Sequence, residues 1–144
     1  MIRMKTRALQ CIAAMMIVGT VLTAQPPIKI LDAKEKRLEY AKKNFIMGLR
    51  SDNYGVIEST LMMIAKMKIT NRFTGISDLQ LVIDSLSIAS PLPSLRYKAF
   101  LVSAVCSDPE WFSAETRLNT SEMELFFLNT SQRLQQKMLG LSSL

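Results

Sequence analysis

The sequence predicts an all-α fold of about three short antiparallel helix pairs stacked side by side. Three observations carry that prediction. Apolar residues recur at spacings of three and four along most of the chain, the period of a helix with one buried face. Capping and turn residues break the pattern at short intervals, so each helix folds back on the last. The apolar comb of one helix, Val56, Thr60, Met63 and Met67, returns at a constant offset as Leu95, Ala99, Val102 and Cys106. Stacked helix pairs recur at a spacing of about 40 residues, and this offset falls close to it. The length, 144 residues, suits one ordinary domain.

Residues 1–24 stand apart. Arg3, Lys5 and Arg7 make a positive start, Ala8 to Ala24 carries no charge, and Leu22-Thr23-Ala24 offers a small residue for cleavage. This is the pattern of a secretory signal peptide, and it places the remainder in the periplasm or outside the cell. The competing reading is a retained anchor. Against it, the uncharged run from Ala8 to Ala24 includes Gly19, Thr20 and Thr23 and is short for a span of roughly 20 residues. A lipoprotein signal is rejected, because Cys11 lies near the front of the run rather than after it. Loss of residues 1–24 leaves 15 basic against 12 acidic residues and lowers the net charge from +6 to +3. The remaining cations are dispersed apart from Lys34, Lys36, Arg37, Lys42 and Lys43, where a single aromatic, Tyr40, is interleaved and makes no base-stacking platform. Nucleic acid is therefore not the expected partner, and no membrane contact is expected once the signal is removed.

Residues 25–31, with Pro26 and Pro27, read as an extended lead-in carrying Ile28, Ile30 and Leu31. The helical domain is expected over 32–140. Asp32 caps its first helix, with Glu35 completing a capping box, and Leu38, Ala41, Phe45 and Leu49 form the stripe. Ser51, Asp52 and Asn53 then interrupt, each a good N-cap, before a second helix from about Tyr54 to Ile69. Thr70 to Ile76 is a loop. Ser77 or Asp78 caps a third helix with Leu79, Val82, Ile83 and Leu86 inward, and it stops before Pro91 and Pro93. Pro93-Ser94 opens the fourth helix. Asp108-Pro109 opens a fifth segment bearing Trp111, Phe112 and Ala114. Thr120 or Ser121 caps the sixth, Ser121 and Glu124 form a second capping box, and Met123, Phe126, Phe127, Thr130, Leu134 and Met138 point inward. Gly140 ends it, leaving residues 141–144 as a frayed tail.

Chemistry is mostly excluded. The chain contains no histidine, which removes Ser-His-Asp and Cys-His arrangements, His-based zinc sites and the commonest general base. Cys106 is the one cysteine after residue 24, so an intramolecular disulfide is impossible there, and its place on an apolar stripe suits a small core residue. The six methionines beyond residue 24 follow helical spacing and read as core filler rather than a soft-metal site. Asn119-Thr120-Ser121 and Asn129-Thr130-Ser131 match the glycosylation acceptor pattern but fit a helix cap and a helix surface. No catalytic, cofactor-binding or metal-binding residue is expected.

The run LRSDNYGVIESTLMMIAKMK, Leu49 to Lys68, resembles the loop and second helix of HEAT-type repeats, and SPLPSLRYKAFLVSAV, Ser90 to Val105, repeats the pattern with Leu95-Arg96 and Ala99 in place. The nearest likeness is to small secreted bacterial HEAT-repeat proteins, over about residues 34 to 138. The sequence departs from the pattern at Ile57, where Arg is usual, and at Thr60, where Ala is typical. The resemblance implies a short right-handed α-solenoid with a scaffolding or protein-binding role, and it brings no catalytic residues.

In such a stack the second helices line the concave side. Their outward residues would be Glu58, Met62 and Ala65 with Leu61 on the flank, then Tyr97, Leu101 and Ala104 with Phe100 on the flank. That face is more apolar than a solvated one, the mark of a site for a protein or peptide. The alternative is that neighbouring helices cover it. Two further readings are a structural subunit using the same face for self-association or membrane assembly, and a carboxylate-dependent hydrolase, for which Glu35 with Glu39 and Glu122 with Glu124 are the close acidic pairs.

Overall fold

The computed structural model describes residues 28–70 and 77–140. The chain divides into two compact units, Met1–Ala33 and Lys34–Leu144. The expected signal peptide, the loop after Thr70 and the C-terminal tail lie outside the described residues, as does most of the first unit. All regular structure described is helical: α1 (Ile28–Leu49), α2 (Tyr54–Ile69), α3 (Ser77–Ala89), α4 (Pro93–Ser107), α5 (Pro109–Ser113), a 3₁₀ turn (Thr116–Asn119) and α6 (Met123–Met138). Among the described residues, no helix is long and apolar enough to cross a membrane.

The punctuation follows local chemistry, with three corrections. Of the three candidate caps at the first turn, Asn53 is used: its side chain accepts from the backbone N–H groups of Gly55 and Val56. Asp108 accepts from the Trp111 N–H with Pro109 just inside α5, and Gly140 adopts φ +67°, a conformation open to glycine without a Cβ clash. The first correction is that α1 begins at Ile28, so the expected extended lead-in is partly helix and Asp32 lies inside α1 rather than capping it. No glycine or proline interrupts the chain between Pro27 and Gly48, so nothing stops helix propagating that far back. Second, Ser77 is the first residue of α3 rather than its cap. Third, α6 starts after Glu122 without a side-chain cap; Thr120 Oγ1 instead accepts from the Glu122 N–H, and the Ser121–Glu124 box does not form.

The core is built around α4, which touches α2, α3, α5 and α6. Leu95, Ala99, Val102 and Cys106 are all buried as the comb predicts, and so are Lys98, Leu101 and Val105 on a second side. A helix with neighbours on several sides needs more than one apolar stripe. The same cause turns α2: Ile57, Thr60, Leu61, Ile64 and Ala65 are buried, while Val56 and Met63 of the expected stripe are exposed. Besides α4, α2 meets α5 and α6. In a linear stack each hairpin meets only the adjacent ones; here α2 touches α5 and α6 directly.

Polar side chains fix the joints. Lys98 Nζ reaches Glu58 on α2 at 3.2 Å and Glu124 on α6 at 2.6 Å, and lies 5.2 Å from the Phe127 ring centroid. Arg133 stacks on Trp111 at 4.1 Å and donates to the Trp111 carbonyl, while the Trp111 indole N–H donates to the Arg133 carbonyl. Lys66 donates to the Thr120 carbonyl and sits over Phe126.

Candidate interaction surface

The eight residues expected on one outward face separate into three groups. Leu61 and Leu101 are 0% exposed and Ala65 is equally enclosed, so the expectation that they meet a partner is corrected: α2 and α4 are packed on the side where those residues project. Met62 and Ala104 are half-buried against the core. Glu58 is half-buried and held by Lys98; its carboxylate joins α2 to α4 rather than facing solvent. Tyr97 and Phe100 remain, 50% and 49% exposed.

Those two aromatics sit one turn apart on α4, as i and i+3 must, with near-parallel rings, centroids 6.4 Å apart and planes at 27°. The Tyr97 hydroxyl and Ser131 Oγ on α6 are 2.7 Å apart, so the ring is anchored at its far edge. Leu128 lies one turn before Ser131 on the same side of α6 and is also exposed. The patch thus joins two aromatic faces and one aliphatic side chain across the α4–α6 seam.

A second feature lies on α3. Leu49, Arg50, Ser51 and Ile57 from the α1–α2 corner face Leu81, Val82, Ser85 and Leu86 of α3 across an open groove of about 600 Å³. Leu81 on its wall is 71% exposed, and Ile88 on the same helix 80%. Sequence reasoning missed these two because it assigned one buried stripe to α3 and treated the rest as solvated. The signal was present: Leu81 and Ile88 are apolar and lie off the Leu79–Ile83 stripe.

It also missed the buried cations. Lys98 and Arg133 are among the least exposed polar residues, and both fall within apolar stripes, Lys98 between Leu95 and Leu101 and Arg133 one turn beyond Thr130. Burial pulls the Lys98 ammonium toward neutrality, but its hydrogen bonds to Glu124 and Glu58 outweigh this and leave its pKa above the ordinary lysine value. It stays charged and acts as a fastener.

Burial raises the Cys106 thiol to about 11, with Lys68 opposing and Asp84 assisting. At neutral pH it is a protonated core side chain rather than a nucleophile. Among the described residues, no group of three or more acidic, cysteine or histidine side chains could hold a metal ion. The paired acids are dispersed in role: Glu124 binds Lys98, and Glu39 pairs with Lys42 at 3.4 Å.

No protein-family model matches this chain, and no curated protein or solved structure is similar to it.

Proposed function

We propose that this chain is an exported, noncatalytic protein-binding module of HEAT-like helix pairs, and that its docking surface is the α4–α6 patch around Tyr97, Phe100 and Leu128. The observation that carries the reading is the pair of half-exposed rings held in fixed orientation by stacking and by the Tyr97–Ser131 hydrogen bond. Rings already immobilised lose little freedom on association, and aromatics of this kind dominate binding energy at protein interfaces. The HEAT-like element is supported by the α3–α4 hairpin, the α2–α4 contact and the buried comb on α4. The direct α2–α6 contact makes any such stack tightly closed.

The test compares the chain with a Tyr97→Ser, Phe100→Ser variant as bait in the exported fraction, with fold monitored by circular dichroism. A protein retained by the parent and lost by the folded variant supports the reading; identical capture by both overturns it. The exported form should begin at Gln25 by intact mass, and a chain that keeps Met1 to Ala24 would instead be the anchored subunit.

A further inference from the structure

We infer that a second copy of this chain is the occupant of the groove beside α3, in a two-fold dimer where the α3 helices pack antiparallel. The inference is independent of the α4–α6 patch.

Asp78, Leu81, Ser85 and Ile88 are spaced by three, four and three residues, so they form a single stripe along α3. Asp78 and Ser85 are exposed, and Leu81 and Ile88 are 71% and 80% exposed. The other side of the helix is committed to α4, through Leu79 and Ile83 in the core and through Gln80 and Asp84, which bond Ser103. Two large aliphatic side chains therefore flank one small residue on a face that no helix among the described residues covers.

A two-fold axis passing between Asp84 and Ser85 lays the Leu81–Ile88 part of this stripe on its own copy. Leu81 of one copy then meets Ile88 of the other twice, and Ser85 meets its equivalent near the crossing, where a small side chain lets axes approach to about 8–10 Å. The groove supplies the remaining cover, with Leu49, Ile57 and Val82 as its floor beside Leu81.

Charge chooses the same occupant. α3 contains Asp78 and Asp84 and no basic residue, whereas the opposite rim of the groove carries Arg50. Arg50 lines the groove together with Leu81, Val82, Ser85 and Leu86 of α3. A second copy lying in the groove brings its own acidic α3, with Asp78, against that rim. Each copy thus presents an acidic helix to the other's Arg50, and the two-fold relation between the copies makes the two α3 helices antiparallel.

The experiment measures the solution mass of the full chain by light scattering over a concentration series, together with disulfide trapping. The parent should be dimeric, and Leu81→Glu with Ile88→Glu should be monomeric with an unchanged circular dichroism spectrum. Tyr97→Ser with Phe100→Ser should remain dimeric. Arg50→Glu should raise the dimer Kd about tenfold at low salt, and adding Asp78→Arg should restore it. Ser85→Cys in a Cys11→Ser background should form a dimer linked at position 85 under mild oxidation. A parent monomeric throughout overturns the inference, as does a dimer that survives the double glutamate change. A dimer in which position 85 does not crosslink and the Arg50–Asp78 swap does not rescue also overturns it.

Discussion

Thr60 lies against a helix surface that only glycine could present: a Cβ added to Gly48 would fall 2.4 Å from Thr60 Oγ1. That hydroxyl is also fixed by its 2.7 Å hydrogen bond to the Val56 carbonyl, and a β-branched side chain has little rotamer freedom in a helix. Gly48→Ala gains about 1 kcal/mol of helix propensity but forces an overlap of the kind that costs about 1–3 kcal/mol. The expected net change is a loss of about 1 kcal/mol by urea denaturation. Combining it with Thr60→Ala should recover that loss, and a double-mutant cycle without coupling would show that the two helices do not meet here.

The Lys98 joint is asymmetric. Glu124 is 78% exposed at its side chain, whereas Glu58 is 17% exposed. Removing Glu124 by Glu124→Gln should cost less than about 1 kcal/mol. Lys98→Ala strands the enclosed Glu58 carboxylate and should cost about 2 kcal/mol, below the about 3–5 kcal/mol of a fully buried pair. Lys98→Met with Glu58→Leu should regain most of it, since an apolar pair can replace an ionic one. Chemical denaturation of the four proteins checks the order.

Acid should loosen the segment between α5 and α6. The hydrogen bond from Arg117 holds the Glu115 carboxyl at about 2, against an ordinary 4.5, with burial opposing. Lys137 and the Trp111 N–H lower Asp108 likewise. A depressed folded pKa means the unfolded chain takes up protons first, so this stability is present above about 4.5 and is lost as pH falls toward about 2. The Tm of the parent should decline through that window. Glu115→Gln should start lower at pH 7 and converge with the parent near pH 2.

Cys106 reports global opening. Buried, and with its thiol raised to about 11, it should react with a disulfide reagent at neutral pH at the rate of unfolding rather than of thiol chemistry. Fast labelling of Cys106 in a Cys11→Ser chain would mean that α4 is not enclosed.

What was legible in the sequence follows from where single-helix rules hold. α4 could be read correctly on one side because Leu95, Ala99, Val102 and Cys106 obey a simple stripe. The Asp108 cap, with one local solution, was equally legible, whereas the first turn offered Ser51, Asp52 and Asn53 alike and only the structure selects Asn53. α2 was rotated because its burial depends on α5 and α6, elements distant in the chain. For that reason Leu61 and Leu101 read as surface residues although both are enclosed. Gly48 and Thr60 explain one irregularity: the bulk gained at Thr60 is absorbed by its absence at Gly48 on the opposing helix. Such compensation across a gap leaves no trace in either helix alone. The buried charges of Lys98 and Arg133 were illegible for a similar reason, since their partners lie on other helices or on a backbone carbonyl.

The contact between α2 and α6 bears on how such a chain can change length. An open row of helix pairs can gain or lose a terminal unit and keep the rest. Here α2 already touches α5 and α6, and α4 is shared by α2, α3, α5 and α6. Deleting α5 and α6 would strip one flank of α2 and α4 together, and an added fourth pair would find the α2–α6 contact already closed. The Lys34–Leu144 unit should therefore melt in one step and tolerate neither truncation nor duplication of a helix pair, behaving as a unit of fixed size.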